Sequence, residues 1–128
     1  MTQNSPSRLT PNEQTAIDEY LARIHRQFDE QILSVTLFGS KARGDSDAES
    51  DIDLLVVVNK ESWELRSALW RVASDVGLVH NLVISVRVFA RERWAETRRL
   101  RLPLYRAVAM DGVPLSYGGP PPTRAVVG

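Results

Sequence analysis

A chain of 128 residues, 43% apolar and 25% charged, allows one globular domain with one modest core. Sixteen basic residues cancel sixteen acidic ones, which argues against a general nucleic-acid binder and favours association with a partner. The absence of cysteine excludes a disulfide framework and a thiolate metal site, His25 and His80 are too few for a histidine-rich zinc site, and no apolar run approaches the roughly 20 residues that span a membrane or forms a signal core, so the expected location is the cytoplasm.

Residues 1–9 are polar and expected to be loose. Thr10-Pro11-Asn12-Glu13 has the form of a capping box with proline at the first helical position. Ile17, Leu21, Ile24 and Phe28 follow at helical spacing, so a helix is predicted from about Pro11 to Asp29, with His25 on its boundary. Ile32 to Phe38, apolar and β-branched, reads as the first strand. Gly39 breaks it where backbone needs to approach a ligand closely, and Ser40, Lys41 and Arg43 follow in a short helical turn whose N–H groups suit a phosphate. Arg43 either meets that phosphate or pairs with a carboxylate and holds the turn; the second reading is preferred. Asp45, Asp47 and Glu49 are read as a solvated loop rather than extra ligands.

The second strand runs from Asp51 to about Val58. Alternation puts Asp51 and Asp53 on one face, where two carboxylates repel unless a cation lies between them, and oxygen ligands so placed suit Mg²⁺. The unbroken Leu54 to Val58 suits a strand covered on both faces at the end far from the aspartates. A helix starting at Glu61 or Ser62 carries Trp63, Leu65, Leu69, Trp70, Val72 and Ala73 and is expected to stop at Gly77. Trp63 and Trp70 share a face; core or interface packing is preferred over a nucleobase platform. The third strand is predicted from about Asn81 to Phe89, with Leu82, Ile84, Val86 and Val88 on one face and Asn81, Val83, Ser85 and Arg87 on the other. A helix near Arg91 to Arg99, anchored by Trp94, presents an arginine cluster that reads first as a solvated face and second as a contact for an acidic partner or RNA. A helix from Leu104 to Met110 and a strand from Val113 to Leu115 close the domain, which spans 10–117. The Gly- and Pro-rich 118–128 is expected to be disordered.

Gly39-Ser40-Lys41-Ala42-Arg43-Gly44 followed by Ser50-Asp51-Ile52-Asp53-Leu54 resembles the GSxxRG…SDxDL signature of the DNA polymerase β-like nucleotidyltransferases, and by size the minimal nucleotidyltransferases. The resemblance implies an α/β (α+β) fold with a small mixed sheet, helices mainly on one face, and the DxD pair at one end of the other. It implies Asp51 and Asp53 as metal ligands and catalytic residues, Gly39, Ser40, Lys41 and Arg43 as nucleotide-binding, and Mg²⁺ with ATP or another NTP. Active members carry a third carboxylate on the third strand. Matching their wording puts Asn81 in that slot, with Ser85 the alternative on the same face, and no acid lies between Asp75 and Glu92. An amide coordinates Mg²⁺ but accepts no proton near neutral pH. The expected reaction is transfer of NMP, by default AMP, to a hydroxyl. With little chain left for a second domain, a small helical partner of the HEPN type, as in toxin–antitoxin pairs, or a second copy is expected to complete the pocket. The alternative is a weakly active or inactive module of the same fold that docks on a helical partner. An RNA-binding adaptor is disfavoured by the zero net charge.

Overall fold

The computed structural model describes residues 9–44 and 51–116; the expected loose N-terminus, the 45–50 loop, Ser50 and the Gly- and Pro-rich tail fall outside them. Helix α1 spans Pro11–Phe28. Its capping box is closed in both directions: Thr10 Oγ1 accepts from the Glu13 N–H at 3.0 Å, and Glu13 Oε1 accepts from the Thr10 N–H at 2.9 Å. A single 3₁₀ turn, Asp29–Gln31, passes the chain into β1, Ile32–Phe38. One helical turn, α2, Ser40–Arg43, follows β1. Strand β2, Ile52–Val58, returns antiparallel to β1. Helix α3, Trp63–His80, crosses over to β3, Ile84–Ala90, which runs parallel to β2. Helices α4, Arg91–Arg99, and α5, Pro103–Asp111, lead to β4, Val113–Leu115, antiparallel to β1. The sheet order is β3-β2-β1-β4.

The two faces of the sheet are covered differently. Ile52, Leu54, Val56 and Val58 of β2 and Ile84, Val86 and Val88 of β3 join the buried stripes of α1 (Ile17, Tyr20, Ile24) and α3 (Leu65, Leu69, Val76) in the main core. The Tyr20 hydroxyl donates to the Leu69 carbonyl at 3.1 Å and pins the two long helices together. On the other face Phe38, Leu55 and Val57 form a second, smaller cluster under Phe89, Trp94, Leu104 and Val108. The long helices therefore lie on one face, as expected. The short α4 and α5 cover the distal half of the other, which is why Leu54 to Val58 is apolar without interruption.

One of the two expected starts of α3 is the cap, and one expectation about its end changes. Ser62 is its cap, accepting from the Leu65 N–H at 3.0 Å. Gly77 does not stop the helix, which continues to His80 and ends at Asn81 in the left-handed conformation (φ 59°, ψ 46°). Gly77 serves the return of the chain instead: a Cβ there would lie 2.5 Å from the Leu82 carbonyl oxygen, and the Leu82 N–H donates to the Gly77 carbonyl at 2.8 Å. Of the two packings expected for the tryptophans, the core one is not seen: Trp63 and Trp70 are 71% and 41% exposed and meet edge to face.

Strand β3 ends the sheet, yet its outward backbone is occupied. The Val86 carbonyl accepts from Trp70 Nε1 at 3.0 Å, the Val88 carbonyl accepts from Arg93, and the Ala90 N–H donates to Glu61 Oε2 at 2.8 Å. Side chains thus fill the positions a further strand would use, a standard defence of an exposed edge.

A buried ion pair ties α1 to α2. Lys41 is 2% exposed and its Nζ lies 2.5 Å from Glu13 Oε2. Burial alone would raise the Glu13 carboxyl; the hydrogen bonds from Lys41 and Thr10 and the Lys41 charge outweigh it and hold it below the usual range. Removing one partner leaves a buried charge unmatched, so Lys41→Met is expected to cost about 3–5 kcal/mol in urea unfolding. Adding Glu13→Gln, which keeps the capping hydrogen bond but not the charge, is expected to recover a large part of that loss.

Candidate functional site

The site is built where β1 ends beside the start of β2. Phe38 pairs with Asp53 across the antiparallel ladder, so the residue after Phe38 turns directly over the Asp53 side chain. That residue is Gly39, at φ 80° and ψ −159°. A Cβ on Gly39 would stand 2.5 Å from Asp53 Oδ2 and 3.3 Å from its carboxyl carbon. Only glycine supplies both the positive φ and the space. Ser40 then opens α2, whose first turn closes with the Ala42 and Arg43 N–H groups donating to the Gly39 carbonyl, each at 3.1 Å. Gly44 ends it in the left-handed conformation, its N–H on the Ser40 carbonyl at 2.9 Å.

Asp51 is exposed, one residue ahead of β2, and Asp53 is half-buried within it. Burial raises the Asp53 carboxyl above its ordinary range, and the neighbouring Asp51 charge adds to the shift while Arg87 opposes it. The two acids are therefore electrostatically coupled, as a pair that shares a cation is. Two carboxylates fit one Mg²⁺ completed by substrate phosphates. Among the described residues no group of three or more acidic, histidine or cysteine side chains could hold a metal ion.

The sequence-predicted residues separate into those the fold gathers and those it does not. Gly39 meets Asp53, with Ser40 next in the turn and Asp51 one residue ahead of β2. Lys41 does not reach this group: one residue past Ser40 it is rotated a helical step away, into the core beside Glu13. Arg43 reaches Asp111 at 3.7 Å, joining α2 to α5, in keeping with the preferred reading that it holds the turn. Asn81 is not on the third strand. It caps α3, and the strand begins three residues later at Ile84, so the position beside Asp53 falls to Ser85. Two features went unread in the sequence: the pairing of Lys41 with Glu13, 28 positions apart and without local signal, and the part played by Arg87, whose shared face with Ser85 was visible in the strand alternation.

Comparison with known proteins gives one consistent answer. The family described as nucleotidyltransferase domain matches residues 17–111. A protein of Methanocaldococcus jannaschii named "Putative protein adenylyltransferase MJ0604" is 33% identical over 73 residues, covering 57% of this chain and 73% of the relative. A solved "putative minimal nucleotidyltransferase" superposes with a TM-score of 0.51 at 25% identity, over 85% of this chain and 99% of the other. A toxin–antitoxin crystal structure with AMP-PNP shares the fold with a TM-score of 0.50 at 20% identity, over 77% of this chain and 72% of that one.

Because the Asp53 carboxyl is raised in the fold, its ionised form costs stability, and that cost appears as pH rises through its folded value. Asp53→Asn is therefore expected to melt higher than the natural protein at pH 7 without added divalent ion, with the gain absent at about pH 3, below the usual carboxylate range. Gly39→Ala is expected to lose about 1–3 kcal/mol from its backbone conformation, plus a clash contribution. The clash contribution should vanish in an Asp53→Ala background, where the opposing oxygen is gone; urea unfolding of the single and double variants measures both.

Proposed function

The chain belongs to the nucleotidyltransferase domain family, and we propose that its reaction is the transfer of a nucleoside monophosphate, by preference AMP, from a triphosphate to a hydroxyl acceptor. The carrying observation is Gly39 pressed against Asp53, which brings a serine-bearing turn and two coupled carboxylates to one spot. AMP as the group transferred rests on the name of the Methanocaldococcus relative.

Asp51 and Asp53 would hold the divalent ion, and Gly39 and Ser40 would position the outer phosphates. Mg²⁺ bound there supplies charge neutralisation and in-line alignment of the triphosphate. The acceptor oxygen forms a bond to the α-phosphorus, the bond from that phosphorus to the bridging oxygen breaks, and pyrophosphate leaves. β3 carries no acid to take the acceptor's proton, so transfer is slow or draws on a base of the acceptor. The chain's contribution is positioning and electrostatics, and its turnover is slow.

A second reading has its own observation. Leu78 and Val83 are 79% and 60% exposed, and with Trp70 they line a cavity of about 450 Å³ between α3 and β3. An apolar surface of this kind suits a protein partner, and a neighbour of this fold was crystallised in a toxin–antitoxin assembly. In this reading the chain docks on a small helical protein, of HEPN type by family resemblance, and transfers weakly or not at all.

α-Labelled ATP with Mg²⁺, offered to the chain alone and with the product of the adjacent gene, separates the two. Label transfer to the partner or to a second copy, falling about 100-fold or more in Asp51→Ala and Asp53→Ala, is the expected result for the enzyme. Binding of the partner with no transfer, unchanged in those two variants, supports the docking module and removes the enzyme reading.

A further inference from the structure

The face of the sheet that carries Asp53 also carries an arginine. In the parallel pairing of β2 and β3, Asp53 stands beside Ser85 and Leu55 beside Arg87. Ser85 and Arg87 are two residues apart and so project on the same side, about 6–7 Å along the strand. Ile84, Val86 and Val88 project into the main core on the other side. Arg87 is exposed, and its charge is felt at Asp53.

The cations around it are committed elsewhere. Lys41 is buried against Glu13, Arg43 meets Asp111, and Arg93 lies 2.7 Å from Glu61 and over the Phe89 ring. Arg87 makes no ion pair or hydrogen bond with any described residue.

A triphosphate brings several negative charges to a place that already holds two carboxylates. One divalent ion offsets the carboxylates and leaves most of the phosphate charge unmatched. A second divalent ion needs acidic ligands of its own, and the described residues at the site offer no third. A guanidinium on the same face needs no ligand, stays charged at any working pH, and takes two phosphate oxygens at once. The Arg87 stem is long enough to pass Ser85 and reach the Asp53 end.

We propose that Arg87 binds the phosphates of the nucleotide held at Asp51 and Asp53, and that its guanidinium does the work of a second divalent ion, so that the chain binds its nucleotide with a single metal. This rests on the nucleotide reading of the site. It assigns Arg87 a contact with substrate, and it makes the missing acid on β3 part of a different charge arrangement.

Calorimetric titration with AMP-PNP in Mn²⁺, with bound Mn²⁺ counted by electron paramagnetic resonance, tests it without turnover. The natural chain is expected to hold one Mn²⁺ per nucleotide. Arg87→Gln is expected to weaken AMP-PNP by roughly 10–100-fold, with its circular dichroism unchanged, and Arg87→Lys to recover part of the loss. Ser85→Asp combined with Arg87→Gln is expected to bind a second Mn²⁺. Two Mn²⁺ in the natural chain, or an Arg87→Gln variant that binds AMP-PNP as tightly as the natural chain, overturns the assignment while leaving the nucleotide reading in place. Failure of the natural chain to bind AMP-PNP at all, with and without its partner, overturns the nucleotide reading and the role of Arg87 with it.

Discussion

The contact on which the site depends is steric rather than polar. Gly39 lies so close to the Asp53 carboxylate that no side chain fits between them. The contact sets where the turn after β1 sits relative to the start of β2, and it covers one side of Asp53. The last effect is visible in the raised Asp53 carboxyl, whose largest cause is burial. A half-buried acid beside another acid is strained toward accepting a cation, and the backbone itself applies that strain.

The turn is held from behind as well. Glu13 closes the capping box of α1 with one carboxylate oxygen and accepts from Lys41 with the other. The start of the core helix α1 and the turn after β1 are therefore one unit. A four-residue helix such as α2 has almost no stability of its own. It is anchored through Lys41 to a capped eighteen-residue helix, and through Arg43 to α5. A residue expected on the phosphates thus serves the same site from within the core.

Most of the architecture was legible because apolar periodicity and caps speak locally. The Thr10 capping box, the Ile32 to Phe38 strand and the alternation of Ile84, Val86 and Val88 are written in adjacent residues, and each matches the fold. The failures share one cause: tertiary contact overrode a local sign. Gly77 reads as a helix stop, but it is small because the chain folds back over it at Leu82. Asn81 reads as the first residue of a strand, but its tolerance of the left-handed conformation makes it the end of the helix. Lys41 reads as a phosphate ligand until α1 is packed beside it. Trp63 and Trp70 share a face and read as core or interface; they are exposed, and Trp70 lies along the sheet edge with its indole N–H on Val86. Of the candidate site, the pair Asp51 and Asp53 and the Gly39-Ser40 turn stand out in adjacent residues, while the choice between Asn81 and Ser85 beside Asp53 waited on the strand register, which one strand alone does not give.

The covering of β2 explains how one short strand serves both stability and chemistry. Its main-core side is apolar along its whole length. Its other side is divided: Leu55 and Val57 lie beneath the cluster made by α4 and α5, and Asp53 lies just outside it. The boundary falls between Asp53 and Leu55, two residues apart on that side. Moving the cover one step toward the N-terminus of β2 would bury an unpaired carboxylate, at a cost of several kcal/mol, and moving it one step back would expose Leu55. The position of the short helices is thus set by the same alternation that places the acid, and Arg87, beside Leu55 on the neighbouring strand, stands on that boundary too. An arginine suits such a place, since its stem packs on apolar surface while its head stays in water. The arrangement puts Asp53 and the exposed guanidinium on one face of the sheet, just outside the cover of the short helices.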